Sequence, residues 1–192
     1  QSLEQWEINY NDLELQKTIG TGGFAEVFLG YLKTEVTVVA VKKLHQQQFD
    51  EKMLEMYKRE VGILARLKHF AILPFVGATT QPPFCILTVF MSGGSLFSRL
   101  HAKEASNRLS PTQLSIIALG IAYGMAYLHE QQMVHRDLKS LNILLDADDF
   151  PKISDFGMAR TKNSSSESMT GNIGTYQWMA PEVLVSQRYD EK

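Results

Sequence analysis

The sequence predicts an α+β fold in two parts, a small β-rich part with one helix and a mainly helical part after it. Three observations carry this. Short β-branched runs fill the first third, as in Val36-Thr37-Val38-Val39-Ala40-Val41, and such runs favour strands. Met53, Tyr57, Val61, Leu64 and Leu67 recur at spacings of three and four, the stripe of an amphipathic helix. Beyond Ser92-Gly93-Gly94 the character turns helical.

Taken in order, Leu13-Glu14-Leu15 is a strand entering the turn Gly20-Thr21-Gly22-Gly23. Val27-Phe28-Leu29 leads a second strand to Tyr31, and the third is the run 36–41. The helix spans about 49–67, and two strands follow near 72–79 and 84–90. Ser110-Pro111 is an N-cap followed by proline at the first helical position, and it opens a helix to about Glu130. Pro111 to Leu128 carries no charge but holds Thr112, Gln113, Ser115, Gly120 and Gly124. A spanning helix wants ~20 predominantly apolar residues, so a buried helix in a soluble core is expected, with no membrane segment. Asp146-Ala147-Asp148-Asp149 reads as a solvated turn between short strands. A calcium loop from Asp146 would place glycine and glutamate where Pro151 and Gly157 stand.

The 192 residues are 44% hydrophobic and 21% charged, ordinary values that exclude disorder as the main state. A net charge of −2 argues against binding nucleic acid through bulk positive charge. Cys85 is the single cysteine, so no intrachain disulfide forms, and an intracellular or cytosol-facing setting is expected. The chain opens at Gln1 without a signal-peptide pattern, as if cut from something longer.

Gly20 to Ala25 fits a dinucleotide fingerprint if alanine takes the third glycine place. That fingerprint must open a helix, and Glu26 to Gly30 reads as a strand. A P-loop is excluded because no Gly-Lys-Ser/Thr follows. Two readings remain, a tight hairpin and a flap whose backbone N–H groups approach a triphosphate. Phe24 at the tip would cover the site from water. Lys42 ends the third strand, and Glu60 falls between Tyr57 and Leu64 on the apolar face of the helix. Either Glu60 pairs with Lys42, because a core-facing carboxylate needs a partner, or it is solvated at the edge of the stripe.

The strongest signal is His135-Arg136-Asp137-Leu138-Lys139-Ser140-Leu141-Asn142, then Asp155-Phe156-Gly157 and Ala180-Pro181-Glu182. With the glycine turn and Val39-Ala40-Val41-Lys42, these motifs resemble the eukaryotic protein kinase domain in its order, from about Leu13 onward. The resemblance implies a bilobal protein kinase-like fold. Residues 1–91 would be the N-lobe, with lead-in and hinge, an antiparallel sheet and one helix. Residues 92–192 would be a partial, mainly helical C-lobe, and further helices are expected beyond Lys192.

The resemblance also implies ATP as co-substrate and Mg²⁺ as cofactor. Asp155 would supply a carboxylate and Asn142 an amide oxygen to the metal. Asp137 would orient the acceptor hydroxyl and take its proton, and Lys139 would meet the γ-phosphate. Lys42, held by Glu60, would bind the α/β-phosphates under Gly20, Gly22 and Phe24. Ala25 stands where kinases carry a third glycine, a small intrusion. Val27, Ala40 and Leu144 would sandwich the adenine. Thr88 would be the gatekeeper before the hinge Val89-Phe90-Met91. His135 reads as a packed histidine, stacked with Leu64 and Phe156 in a core linking the lobes, and Arg136 as a structural cation.

Trp6-Glu7-Ile8 leading into Asp12-Leu13-Glu14-Leu15, and Gly174 to Glu182, resemble the tyrosine kinase-like group, the mixed-lineage and Raf relatives. That group mostly phosphorylates serine and threonine, and Lys139 and Thr175 agree. Protein substrates are then the expected partners, with no nucleic acid, in the cytoplasm or in the cytosolic domain of a larger protein. The Ser/Thr-rich segment 161–170 would be an activation loop. Phosphorylation is expected at Thr170 ahead of Ser168, by an upstream kinase or by autophosphorylation, with Arg136 as partner. Two other readings stand beside the enzyme, a pseudokinase scaffold and a non-enzymatic kinase fragment.

Overall fold

The computed structural model describes residues 6–23, 25–45, 51–104, 107–157, 159–161, 176–181 and 184, and the chain divides into two compact units. The first unit comprises residues 1–68 and 73–91. It is built on a five-stranded antiparallel sheet of β1 (Leu13–Thr21), β2 (Ala25–Leu32), β3 (Thr37–Leu44), β4 (Phe75–Ala78) and β5 (Cys85–Val89), in the order β1-β2-β3-β5-β4. Leu13, Leu32, Val39, Val41, Cys85 and Leu87 form its buried core. The alternation of Val39 and Val41 with exposed or half-buried neighbours is what gives β3 one inner face.

The lead-in Trp6-Glu7-Ile8 covers the outer edge of β4. Glu7 bridges Ala78, and the Ile8 N–H donates to the Ala78 carbonyl at 2.9 Å. A Cβ on Gly77 would lie 2.4 Å from the Ile8 side chain, so glycine is what admits the lead-in. The edge strand is thereby paired instead of open.

Helix α1 (Glu51–Leu64) buries Tyr57, Glu60, Val61 and Leu64. It is shorter than the expected 49–67, whose first two residues lie outside the described ones. At its C-terminus the Arg66 N–H bonds back three residues to Ile63, a tightened last turn, while Leu67 stays buried. The strand expected near 72–79 begins only at Phe75. Pro74 has no N–H to give a ladder, and Ile72 makes a lone bridge to Ile153.

The second unit comprises residues 69–72 and 92–192. Its long helix α3 (Pro111–Glu130) is preceded by the short α2 (Leu96–Leu100), for which the sequence reading had no element. Ser110 caps α3 in a full capping box, exchanging hydrogen bonds with Gln113. A three-stranded sheet joins β6 (Gly94–Ser95), β8 (Ile143–Leu145) and β9 (Pro151–Ile153), and β7 (Met133–Val134) pairs with β10 (Arg160–Thr161). The 146–149 turn between β8 and β9 is as expected. Arg99 holds Asp149 there through two bonds, at 2.5 and 3.1 Å.

Helix α3 packs on β9 through Gly120 and Gly124. A Cβ at Gly124 would sit 2.6 Å from Ile153 Cδ1. Burial is confined to that face, with Ile117 and Leu128, whereas Leu114, Ile116, Leu119 and Tyr123 are exposed. The expectation of a buried core helix is therefore corrected to a helix buried along one narrow face, because only one side of the helix meets β9. By length and composition alone, α3 is also apolar enough to cross a membrane.

Candidate active site

In the first unit, full pairing of β2 with β3 sets Val27 opposite Lys42, and pairing of β3 with β5 sets Ala40 opposite Thr88. The Lys42 ammonium lies 2.7 Å from Glu60 Oε1. Of the two readings of Glu60, the structure takes the pair. The Glu60 side chain is only 11% exposed, and a charge so buried requires a counter-charge.

The glycine turn joins strand to strand, as the flap and hairpin readings both require. The Gly22 N–H donates to the Ala25 carbonyl at 2.8 Å, closing the turn. Nε2 of His45, just past β3, lies 3.2 Å from the Gly22 carbonyl. A Cβ at Gly23 would meet nothing within 4 Å, so packing does not demand glycine there. Phe24 lies outside the described residues. Thr88 and Val89 end β5, where the Val89 N–H donates to the Pro74 carbonyl at 3.0 Å. Phe90 follows, half-buried, and Met91 is buried.

In the second unit, the loop after β7 carries the polar cluster. His135 is 1% exposed. Its Nε2 donates to the Ser154 carbonyl at 2.9 Å, and its Nδ1 accepts the Asp137 N–H at 3.3 Å. That pattern requires a neutral ring with its proton on Nε2. Burial agrees, because it holds the imidazole pKa below its ordinary value. The ring also meets Phe156 edge-on, 5.2 Å between centroids. The packed reading of His135 therefore stands within this unit.

Asp137, Lys139 and Asn142 are brought together. Asp137 Oδ2 lies 2.8 Å from the Lys139 ammonium. The Asn142 amide Nδ2 donates to that same oxygen at 3.0 Å and to the Asp137 carbonyl at 2.8 Å. A carboxylate only 8% exposed is thus held by a cation and an amide. The Asn142 carbonyl accepts both the N–H and the hydroxyl of Ser154, each at 2.9 Å. This ties the loop to the residue before Asp155. Asp155 is itself exposed, between buried Ser154 and Phe156, and its backbone takes φ 62°. Arg136 takes φ 65°. Each is a non-glycine residue in the left-handed region, a backbone shape that its surroundings impose.

The donors fit a magnesium ion in part. With Nδ2 of Asn142 committed to Asp137, Oδ1 is the amide atom left to face a cation. Asp155 adds one exposed carboxylate. Among the described residues no three of His, Cys, Asp and Glu cluster as a metal cage. One carboxylate and one amide oxygen suit Mg²⁺ completed by water and phosphate oxygens. Leu144 is half-buried on β8. Ser168, Thr170, Thr175 and Glu182 lie outside the described residues. Sequence reasoning placed Tyr57 on the apolar stripe and gave its hydroxyl no role. The one available signal was an oxygen on a face that packing alone would fill with phenylalanine.

A family model described as protein tyrosine and serine/threonine kinase matches residues 13–192. The chain is 40% identical over 189 residues to serine/threonine-protein kinase STY46 of Arabidopsis thaliana, covering 97% of this chain and 32% of that protein. It is 40% identical over 192 residues to serine/threonine-protein kinase CTR1 of the same plant, covering 98% of this chain and 23% of that protein. Serine/threonine/tyrosine-protein kinase HT1, again from Arabidopsis, is 35% identical over 192 residues, 98% of this chain and 49% of the relative. The chain therefore spans about a third of STY46 and at most half of these three.

Proposed function

The chain belongs to the protein tyrosine and serine/threonine kinase family, and from that premise we propose that it transfers the γ-phosphoryl group of ATP to serine and threonine hydroxyls of proteins. The observation that carries this is the buried Asp137 carboxylate held between Lys139 and Asn142. Phosphoryl transfer asks mostly for positioning and charge neutralisation. Asp137 Oδ accepts the proton of the incoming hydroxyl as its oxygen bonds to phosphorus. The bond from phosphorus to the bridging oxygen breaks, and ADP leaves. Lys139 offsets charge beside that carboxylate. Asp155 and Asn142 would hold Mg²⁺, which would supply charge neutralisation at phosphate oxygens.

Lys42, with Glu60 behind it, would take the α/β-phosphates under the Gly20–Gly22 backbone, and Val27, Ala40, Thr88, Val89, Phe90, Met91 and Leu144 would take the adenine. The names of serine/threonine-protein kinases STY46 and CTR1 support serine and threonine as acceptors. The reading extends to protein substrates in the cytosol, where a free thiol such as Cys85 persists.

The test is transfer of radiolabelled phosphate from Mg-ATP to a general protein substrate, with Asp137→Asn as control and the labelled amino acid identified. Phosphoserine or phosphothreonine that disappears in the control is the expected result. Phosphotyrosine as sole product overturns the acceptor class, and unchanged transfer by the control overturns the role of Asp137.

A further inference from the structure

Tyr57 lies on α1, one turn before Glu60. Its side chain is buried, and its hydroxyl lies 2.7 Å from the Thr79 carbonyl and 2.9 Å from the Cys85 carbonyl. The hydroxyl donates and both carbonyls accept. Burial raises its pKa well above the ordinary tyrosine value, so the donor proton stays in place.

The acceptors flank the connection between β4 and β5, Thr79 just past β4 and Cys85 at the start of β5, and that connection is a closed polar knot. The Thr79 N–H donates to the Cys85 carbonyl at 3.0 Å. The Cys85 N–H donates to Thr79 Oγ1 at 2.9 Å, and that hydroxyl donates to the Pro83 carbonyl at 2.7 Å. The Tyr57 hydroxyl ties helix α1 into the knot, and its ring packs on Phe84 with 5.1 Å between centroids. A solvent-open pocket of about 50 Å³ on the same flank is lined in part by Trp6, Leu54, Tyr57, Val61 and Phe84.

We propose that Tyr57 is a positioning residue for phosphoryl transfer, its hydroxyl locking α1 onto the β4–β5 connection so that Glu60 stays within reach of Lys42. This rests on the reading above that the Lys42–Glu60 pair serves the phosphates. A side chain that only supports the fold loses the same fraction of activity in any background. One that acts through Glu60 loses nothing further once Glu60 is disabled.

The test is a double-mutant cycle in the full chain, with wild type, Tyr57→Phe, Glu60→Gln and the double variant. It is read as kcat/KM for ATP, with amide hydrogen exchange over residues 51–64 as a second measurement. Tyr57→Phe alone is expected to lower kcat/KM about two- to tenfold and to speed exchange in α1. In the Glu60→Gln background its effect is expected to fall below about 1.5-fold. Equal losses in both backgrounds, or wild-type activity and exchange in Tyr57→Phe, overturn this inference alone. Wild-type activity in Glu60→Gln overturns the reading of the ion pair and the inference with it. Absence of transfer in wild type overturns both.

Discussion

Lys42 and Glu60 stand 18 residues apart on a strand and a helix, and meet at 2.7 Å. Asp137 and Asn142 stand five apart in one loop, and meet at 3.0 Å. The first pair exists because α1 is held against the sheet of its unit, and its lysine side chain is 31% exposed. The second exists because the loop folds back on itself around a carboxylate that is 8% exposed. The contrast is between a contact that a helix shift can break and one that only unfolding of the loop can break. The chain so built has a polar contact suited to adjustment in one unit and a polar contact suited to permanence in the other.

The largest expected effect is at the permanent contact. Asp137→Asn removes the proposed proton acceptor, and transfer is expected to fall by about 10²–10⁴-fold with Mg-ATP binding retained. A fall under tenfold in steady-state kinetics would break the contrast, since the buried carboxylate would then be no more than a fold element.

Glu60→Gln comes next, at roughly tenfold in kcat/KM. Removing one partner of a buried pair costs ~3–5 kcal/mol and an exposed pair is worth ~0–1. The partly exposed Lys42 places this pair between them, at ~1–2 kcal/mol. Raising the salt concentration should weaken the wild type toward the variant, because screening reaches exposed charges first. A salt-independent gap would show the pair to be as enclosed as the Asp137 cluster.

A smaller effect separates the regions by pH. The unfolded chain protonates His135 near 6.5, whereas burial keeps the folded ring neutral to lower pH. Below 6.5 the unfolded state binds more protons, so stability rises with pH and is lost as pH falls from about 6.5 toward the lowered folded value. The slope reaches at most ~1.4 kcal/mol per pH unit. Urea midpoints of wild type and His135→Asn between pH 7.5 and 5.5 check this, and parallel profiles would contradict it.

The smallest effect is expected at the glycine turn. Ala25 opens β2 with a buried methyl, and Ala25→Gly should change ATP affinity by less than about threefold. Abolished binding would mean that the turn tolerates no change, and that the adjustable region is confined to α1.

Much of the fold was legible because its signals are local. Ser110, Pro111 and Gln113 declare the start of α3 through capping chemistry, and the helix begins there. The β-branched run at 36–41 declares β3 because alternate side chains must bury. The glycine turn between two strands was legible for the same reason, since residues 26–30 carry strand chemistry where a dinucleotide fold needs a helix. Elements with weak local signals were not. The short α2 is five residues long, too short for a periodic pattern. The late start of β4 depended on Pro74 and on the bridge from Ile72 to Ile153. The exposed side of α3 was illegible because composition records that a residue is apolar and not whether a neighbour reaches it.

The candidate site divides in the same way. His135, Asp137, Lys139, Asn142 and Asp155 were singled out by the motifs in which the sequence resembles the kinase family, and the fold brings Asp137, Lys139 and Asn142 together. The sequence by itself determined the family, the order of the strands' residues and the identity of these polar groups. Only tertiary structure decided that Glu60 pairs with Lys42, that the proton of His135 sits on Nε2, and that Tyr57 ties α1 to the β4–β5 connection. Each of those depends on which distant backbone or charge a side chain meets once water is excluded. Burial makes an unpaired polar group costly, and the packed fold alone determines which partner meets that cost.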